Sequence, residues 1–163
     1  MDNGNERYIW FFLRLGLGWI LLWAFIDKLW GLGFATTPDK SWLAGVSPTT
    51  GFLKFATTGP FATFFHSLAG NIIVDWLFML GLLLIGFSLI LGIGLKVAGF
   101  AGAFLMLLMW LALLPPKNNP FLDEHLIYLL IFLGFAFRKP NHWLSLGKWW
   151  SKTSLVKKYR FLE

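Results

Sequence analysis

A chain of 163 residues that is 57% hydrophobic and 13% charged has too little polar surface to cover itself in water, which excludes an ordinary soluble domain. Cysteine is absent, so structural disulfides, thiolate nucleophiles, cysteine-ligated iron–sulfur clusters and c-type haem attachment are excluded as well. The formal net charge of +6 gathers toward the C-terminus, a pattern that suits anionic lipid rather than nucleic acid.

The expectation is an all-α integral membrane protein, with residues 1–163 forming a single domain. Residues 8–30 are a first spanning candidate, TM1. Its n-region would carry Asp2 and Glu6 and no small-x-small cleavage site follows, so it reads as a retained helix rather than a signal peptide. Residues 32–71 form a long connection, with Ser47-Pro48 and Gly59-Pro60 as starts of two short helices. Its Phe52, Phe55, Phe61, Phe64 and Phe65 are too apolar for a free loop. Gly59-Pro60 breaks the segment too early for it to cross ~30 Å of hydrocarbon. An interfacial lid fits this pattern.

Residues 72–95 are TM2, with Asp75 one turn inside its start, and Lys96 marks a tight turn. Residues 97–114 are TM3, stopped by Pro115-Pro116, and residues 120–137 are TM4. The pairs Ser88–Gly92, Ala98–Gly102 and Gly99–Ala103 are spaced for close helix contact. Together these segments predict a four-transmembrane-helix bundle, with short interfacial helices in its first outer loop. Residues 138–163 form a basic amphipathic tail in which Trp143, Trp149, Trp150, Tyr159 and Phe161 interleave with Lys and Arg, as at a headgroup layer.

Ten Lys and Arg fall on the side of the termini and the residue-96 turn, against four (Lys28, Lys40, Lys54 and Lys117) on the other. The positive-inside rule then makes both termini cytoplasmic in a multi-pass prokaryotic cell-membrane protein. The lid and the polar run from Asn118 to His125 share the outer face.

Candidate chemistry collects there. In the run Asn118-Asn119-Pro120-Phe121-Leu122-Asp123-Glu124-His125, Asn119 can cap TM4, Pro120 suits its first position, and the acids complement its dipole. His125 places a titratable ring at the helix mouth, and Tyr128 lies one turn further on the same face. Asp27 and Lys28 end TM1. Asp75 is costly in a membrane helix and should face the bundle, neutral or paired with Lys28 or His125. Arg14 can snorkel to the cytoplasmic headgroups or turn inward to hold a helix end or an anion. His66 and His125 follow no metal or haem spacing. Gly92-Ile93-Gly94 lacks the third glycine of a dinucleotide fingerprint. The sequence thus indicates no metal, haem or flavin.

Arg14-x-Gly16 through Asp27-Lys28, the glycine-rich TM2–TM3 hairpin, and Asn119-Pro120-x-x-Asp123-x-His125 resemble the DoxX/DoxD family. Trp42-Leu43-Ala44-Gly45, Ser47-Pro48-Thr49, Gly51-Phe52-Leu53 and the Asn118–His125 run are similar to its DoxD branch. The resemblance covers residues 8–158. It implies a subunit of thiosulfate:quinone oxidoreductase, with quinone as electron acceptor. His125, Asp123 and Asp75 would then move protons, while Lys28, Asp27, Asn119, Glu124, Tyr128 and Arg14 would bind a thiosulfate-like anion or the quinone. Because the chain lacks a cysteine-based electron carrier, a second redox subunit is expected. Two other readings stay open: a non-catalytic membrane anchor for a redox or sulfur-handling partner, and a small-molecule or ion carrier. Homo-oligomerisation stays open too.

Overall fold

Long apolar runs broken by glycine and proline set where the helices begin and end. A computed structural model describes residues 4–117, 119–138 and 143–162, so Asn118 and His142 lie outside the described residues. Every element in them is helical. α1 runs Gly4–Trp30, α2 Thr50–Phe55, α3 Ala62–Leu68, α4 Ile72–Leu91, α5 Leu95–Ala112, α6 Glu124–Phe137, α7 Gly147–Trp150 and α8 Ser154–Lys158. Three of them, α1, α4 and α5, are long and apolar enough to cross a membrane. α6 has 14 residues and so spans about 21 Å at 1.5 Å per residue.

Several boundaries differ from the sequence reading, the end of α5 at Ala112 rather than residue 114 among them. α1 begins at Gly4 rather than residue 8, because Glu6 suits a helix N-terminus and its carboxylate meets Arg138 at 3.5 Å. The turn between α4 and α5 lies at Gly92–Gly94 and not at Lys96, which is inside α5. Gly92 adopts φ 69°, a left-handed helix end that glycine takes without strain. α6 starts at Glu124 rather than residue 120, because Asp123 supplies the helix cap.

Packing divides the long helices into two close pairs. α1 crosses α4 where Gly18 and Gly86 meet: a Cβ on either would lie 3.1 Å from the other's carbonyl oxygen. α5 lies against α6 through Gly99 and Gly102, the latter beneath the Phe132 ring. α4 and α5 join the pairs through their shared turn and a core that includes Leu17, Leu21, Met79, Leu82, Leu89, Met106 and Phe132. α1 and α6 barely meet. Trp10 bridges them against Phe135, with ring centroids 5.3 Å apart, and rests over Gly134.

The 31–71 connection closes one end of the helices, here the loop face. Amides of Trp42 and Leu43 donate to the carbonyls of Lys28 and Leu29, satisfying the open end of α1. Trp42 stacks edge-on against Trp76 of α4. α2 and α3 bury Leu53 and Phe65 against Ala112 of α5, and the Thr58 amide donates to the Ala112 carbonyl. Gly59 passes so close to the Leu114 carbonyl that no side chain would fit there.

At the opposite end, the turn face, the C-terminal segment folds back onto the molecule. The Leu146 amide donates to the Leu91 carbonyl, and Trp143 stacks on Tyr8. Arg14 is 5% exposed, so it does not snorkel to solvent. Its Nη2 donates to the Leu144 carbonyl at 2.8 Å, its plane lies near the Phe11 ring, and Gly92 leaves it the space it fills. Its Nη1 is buried with no hydrogen-bond partner among the described residues. The cation sits at the C-terminal end of α4, where the helix dipole favours it. Arg14→Met is expected to raise amide exchange of residues 143–150 roughly tenfold, since a hydrogen bond from a charged group is worth about 1.5–3 kcal/mol. α4 and α5 should keep their protection in the same exchange measurement.

Candidate functional site

The sequence-predicted residues fall into two groups on the loop face and one outlier on the turn face. The first group joins α1, the connection and α4. Asp27 is 2% exposed, and its carboxylate accepts the amides of Phe34 at 3.3 Å and Ala35 at 3.0 Å. It therefore organises the chain leaving α1. Lys28 is half-buried beside it. Its Nζ lies 6.0 Å from the centre of the Phe78 ring and makes no ion pair among the described residues. In the same connection the Thr37 hydroxyl holds the exposed Asp39 carboxyl below its ordinary range.

Asp75 is 5% exposed, so it faces inward, and of the alternatives open to it in the sequence it pairs with neither Lys28 nor His125 among the described residues. Its Oδ1 accepts hydrogen bonds from the Ser47 hydroxyl at 2.8 Å and from the Thr49 hydroxyl. Ser47 Oγ in turn accepts from the Thr50 hydroxyl at 2.8 Å and the Thr50 amide at 3.1 Å. Hydroxyl donors reach this carboxylate because the connection folds directly over the start of α4. Ser47 and Thr49 are the partners of Asp75 that sequence reasoning missed. The available signal was a cluster of three hydroxyl-bearing residues and one proline, 47–50, in the connection that leads to a lone intrahelical acid.

The second group opens α6. Asn119 does not cap the helix. Its Oδ1 accepts the amides of Phe121 and Leu122, making a local turn that contains Pro120. Asp123 is the N-cap, accepting the amides of His125 at 3.0 Å and Leu126 at 3.3 Å through Oδ1. Its Oδ2 lies 2.9 Å from His125 Nδ1, an arrangement that orients the ring. The His125 and Asp123 side chains are only 14% and 10% exposed, whereas Glu124 is exposed. Ligand atoms of Asp123, Glu124 and His125 lie within 4.8 Å of one another. Both Asp123 oxygens are already engaged as cap and ring partner, which accounts for the cluster without an ion.

Beyond His125, Tyr128 lines an apolar groove of about 520 Å³ between α1 and α6. Ile9, Phe12, Leu13, Gly16, Leu17 and Ile20 form its α1 wall, and Ile131 continues the α6 wall. It lies along the seam where the two helices fail to close. Its volume falls within the roughly 300–1,000 Å³ typical of small-molecule sites. The Tyr128 hydroxyl has no hydrogen-bond partner among the described residues.

Arg14 is the outlier. It lies with Gly92 and Ser145 on the turn face, at the far end of the helices from the Asp27, Asp75 and Asp123 groups. No hydrogen bond or ion pair joins Asp75 to Asp123 or His125 among the described residues.

Among the described residues these features define an all-helical protein with three helices long and apolar enough to cross a membrane, and with polar networks at both helix ends. Compared with known proteins, the chain matches no family model, no curated protein and no solved structure.

Proposed function

We propose that the chain is a membrane-embedded subunit, similar to the DoxD branch, that passes electrons from a small sulfur anion to membrane quinone together with a second redox subunit. In this reading α6 completes a four-helix transmembrane bundle with α1, α4 and α5. The 31–71 connection is the outer lid and both termini are cytoplasmic in a prokaryotic cell membrane. The observation that supports it most is the α1–α6 groove, apolar along its length and lined by Tyr128, one turn below His125.

A quinone ring entering this groove from lipid would present a carbonyl to Tyr128. Two thiosulfate ions give up one electron each as a sulfur–sulfur bond forms between them, and the quinone takes both electrons with two protons. His125, oriented by Asp123, is placed to hold a proton at this end of α6. Lys28, a cation without an ion-pair partner among the described residues, is the group best suited to attract the dianion. With no cysteine in the chain, the second subunit supplies the electron carrier or completes a complex for direct transfer.

Titration of the protein in lipid nanodiscs with a short-tailed benzoquinone, followed by tryptophan quenching, tests the reading. Saturable binding is expected, weakened roughly three- to tenfold in Tyr128→Phe by loss of one hydrogen bond. Absence of saturable binding to the parent chain removes the proposal.

A second reading, the non-catalytic anchor, is favoured by a specific observation: the carboxylates of Asp27, Asp75 and Asp123 each accept hydrogen bonds from a loop or a helix end. A partner recovered from native membranes that binds the chain without thiosulfate-dependent quinone reduction would decide for the anchor.

A further inference from the structure

The C-terminal segment contains no acidic residue between positions 143 and 162. It is also not a free tail. Thr153 caps α8 through the Val156 amide, the Trp150 indole donates to the Leu162 carbonyl at 2.7 Å, and Gly147 and Val156 are buried against the molecule. Those inward contacts leave Lys148, Lys152, Lys157, Lys158 and Arg160 on the exposed side, beside a Trp149 that is 63% exposed. The segment lies across the α4–α5 turn, the level at which two long apolar helices end.

We propose that residues 147–162 form a docking face for the headgroups of anionic phospholipid. The inference rests on the membrane reading given above and goes beyond it by naming the lipid class. Charge complementarity carries it. Five cations with no acid among residues 143–162 are held in place by a folded segment, so they meet a phosphate layer without the ordering cost a disordered tail would carry. Aromatic side chains among them suit the same depth, with their rings toward the acyl chains and their polar edges toward the headgroups. A zwitterionic headgroup offers these cations no net charge. An anionic one does.

The cysteine-free sequence allows one fluorophore to be attached at Ser154→Cys, an exposed position that is not the helix cap. The labelled full chain in nanodiscs is then exposed, at equal mole fraction, to phosphatidylserine or phosphatidylcholine bearing a headgroup nitroxide. Quenching by phosphatidylserine should exceed that by phosphatidylcholine at least about threefold at low salt. It should approach parity near ~1 M salt, where screening shortens to about 3 Å. Changing all five cations to glutamine should abolish the preference. Changing the four lysines to arginine, or Lys40 and Lys54 on the loop face to glutamine, should keep it. Equal quenching in the parent chain, or a preference that survives the five-site change, overturns the proposal and leaves the face to an acidic protein partner. The salt titration reads the same interaction in the parent sequence, independent of how well the variant folds. Incorporation into discs of either lipid reports on membrane embedding separately from headgroup choice.

Discussion

Gly99→Ala is expected to lower the unfolding free energy by about 1–3 kcal/mol, the usual cost of forcing an extra methyl into a packed contact. The new Cβ would lie 2.7 Å from the Phe132 carbonyl oxygen and from the Ala136 amide nitrogen of α6. Those are backbone atoms, which cannot rotate aside, so the α5–α6 pair must separate. Separation would also lift Phe132, the largest fully buried side chain, away from Gly102. Gly81→Ala supplies the contrast, because nothing lies within 4 Å of its Cβ position. It should leave stability unchanged or raise it by up to about 1 kcal/mol through helix propensity. Thermal unfolding of both variants in the same detergent checks the pair. Equal melting temperatures would show that the α5–α6 contact is not tight.

The other large effect is expected at Asp75. Asp75→Ala removes the acceptor for two hydroxyls and leaves a gap at the top of α4, at a cost of about 3 kcal/mol or more. Asp75→Asn keeps one acceptor oxygen and should cost about 1 kcal/mol. Loss of the tether frees the connection before it unfolds the helices. Amide exchange in residues 41–56 should therefore rise strongly in the alanine variant, and the α1–α4 crossing at Gly18 and Gly86 should stay protected. An alanine variant with parental exchange throughout would show that the connection is held by its apolar contacts alone.

The helical class and the long segments were legible because hydropathy and glycine or proline punctuation are local properties. Ala98, Gly99, Gly102 and Ala103 could be read as a packing face from spacing alone, and all four are buried. The partners of the charged groups were not legible, because each is set by the folded chain. Asp75 meets hydroxyls 26 and 28 positions away, and Arg14 meets a carbonyl 130 positions away. From sequence, Arg14 could snorkel to the headgroups or turn inward. The returning C-terminal segment covers the side chain, so it is buried rather than snorkelling. At α6 the signals for a cap were strong but doubled. Asn119 and Asp123 both carry capping oxygens, and Asp123 prevailed because it also satisfies the His125 ring. The groove had no signature in the sequence, since it arises from two helices failing to meet.

That unclosed seam also bears on how the protein is made. α1 finds its main partner in α4, and α5 finds its partner in α6, so each close pair is complete within a continuous stretch of chain. The first pair can assemble while the second is still on the ribosome, and the glycine turn at Gly92–Gly94 then only has to swing one finished unit against the other. Assembly in this order never requires the first helix to wait, unpaired in lipid, for the last.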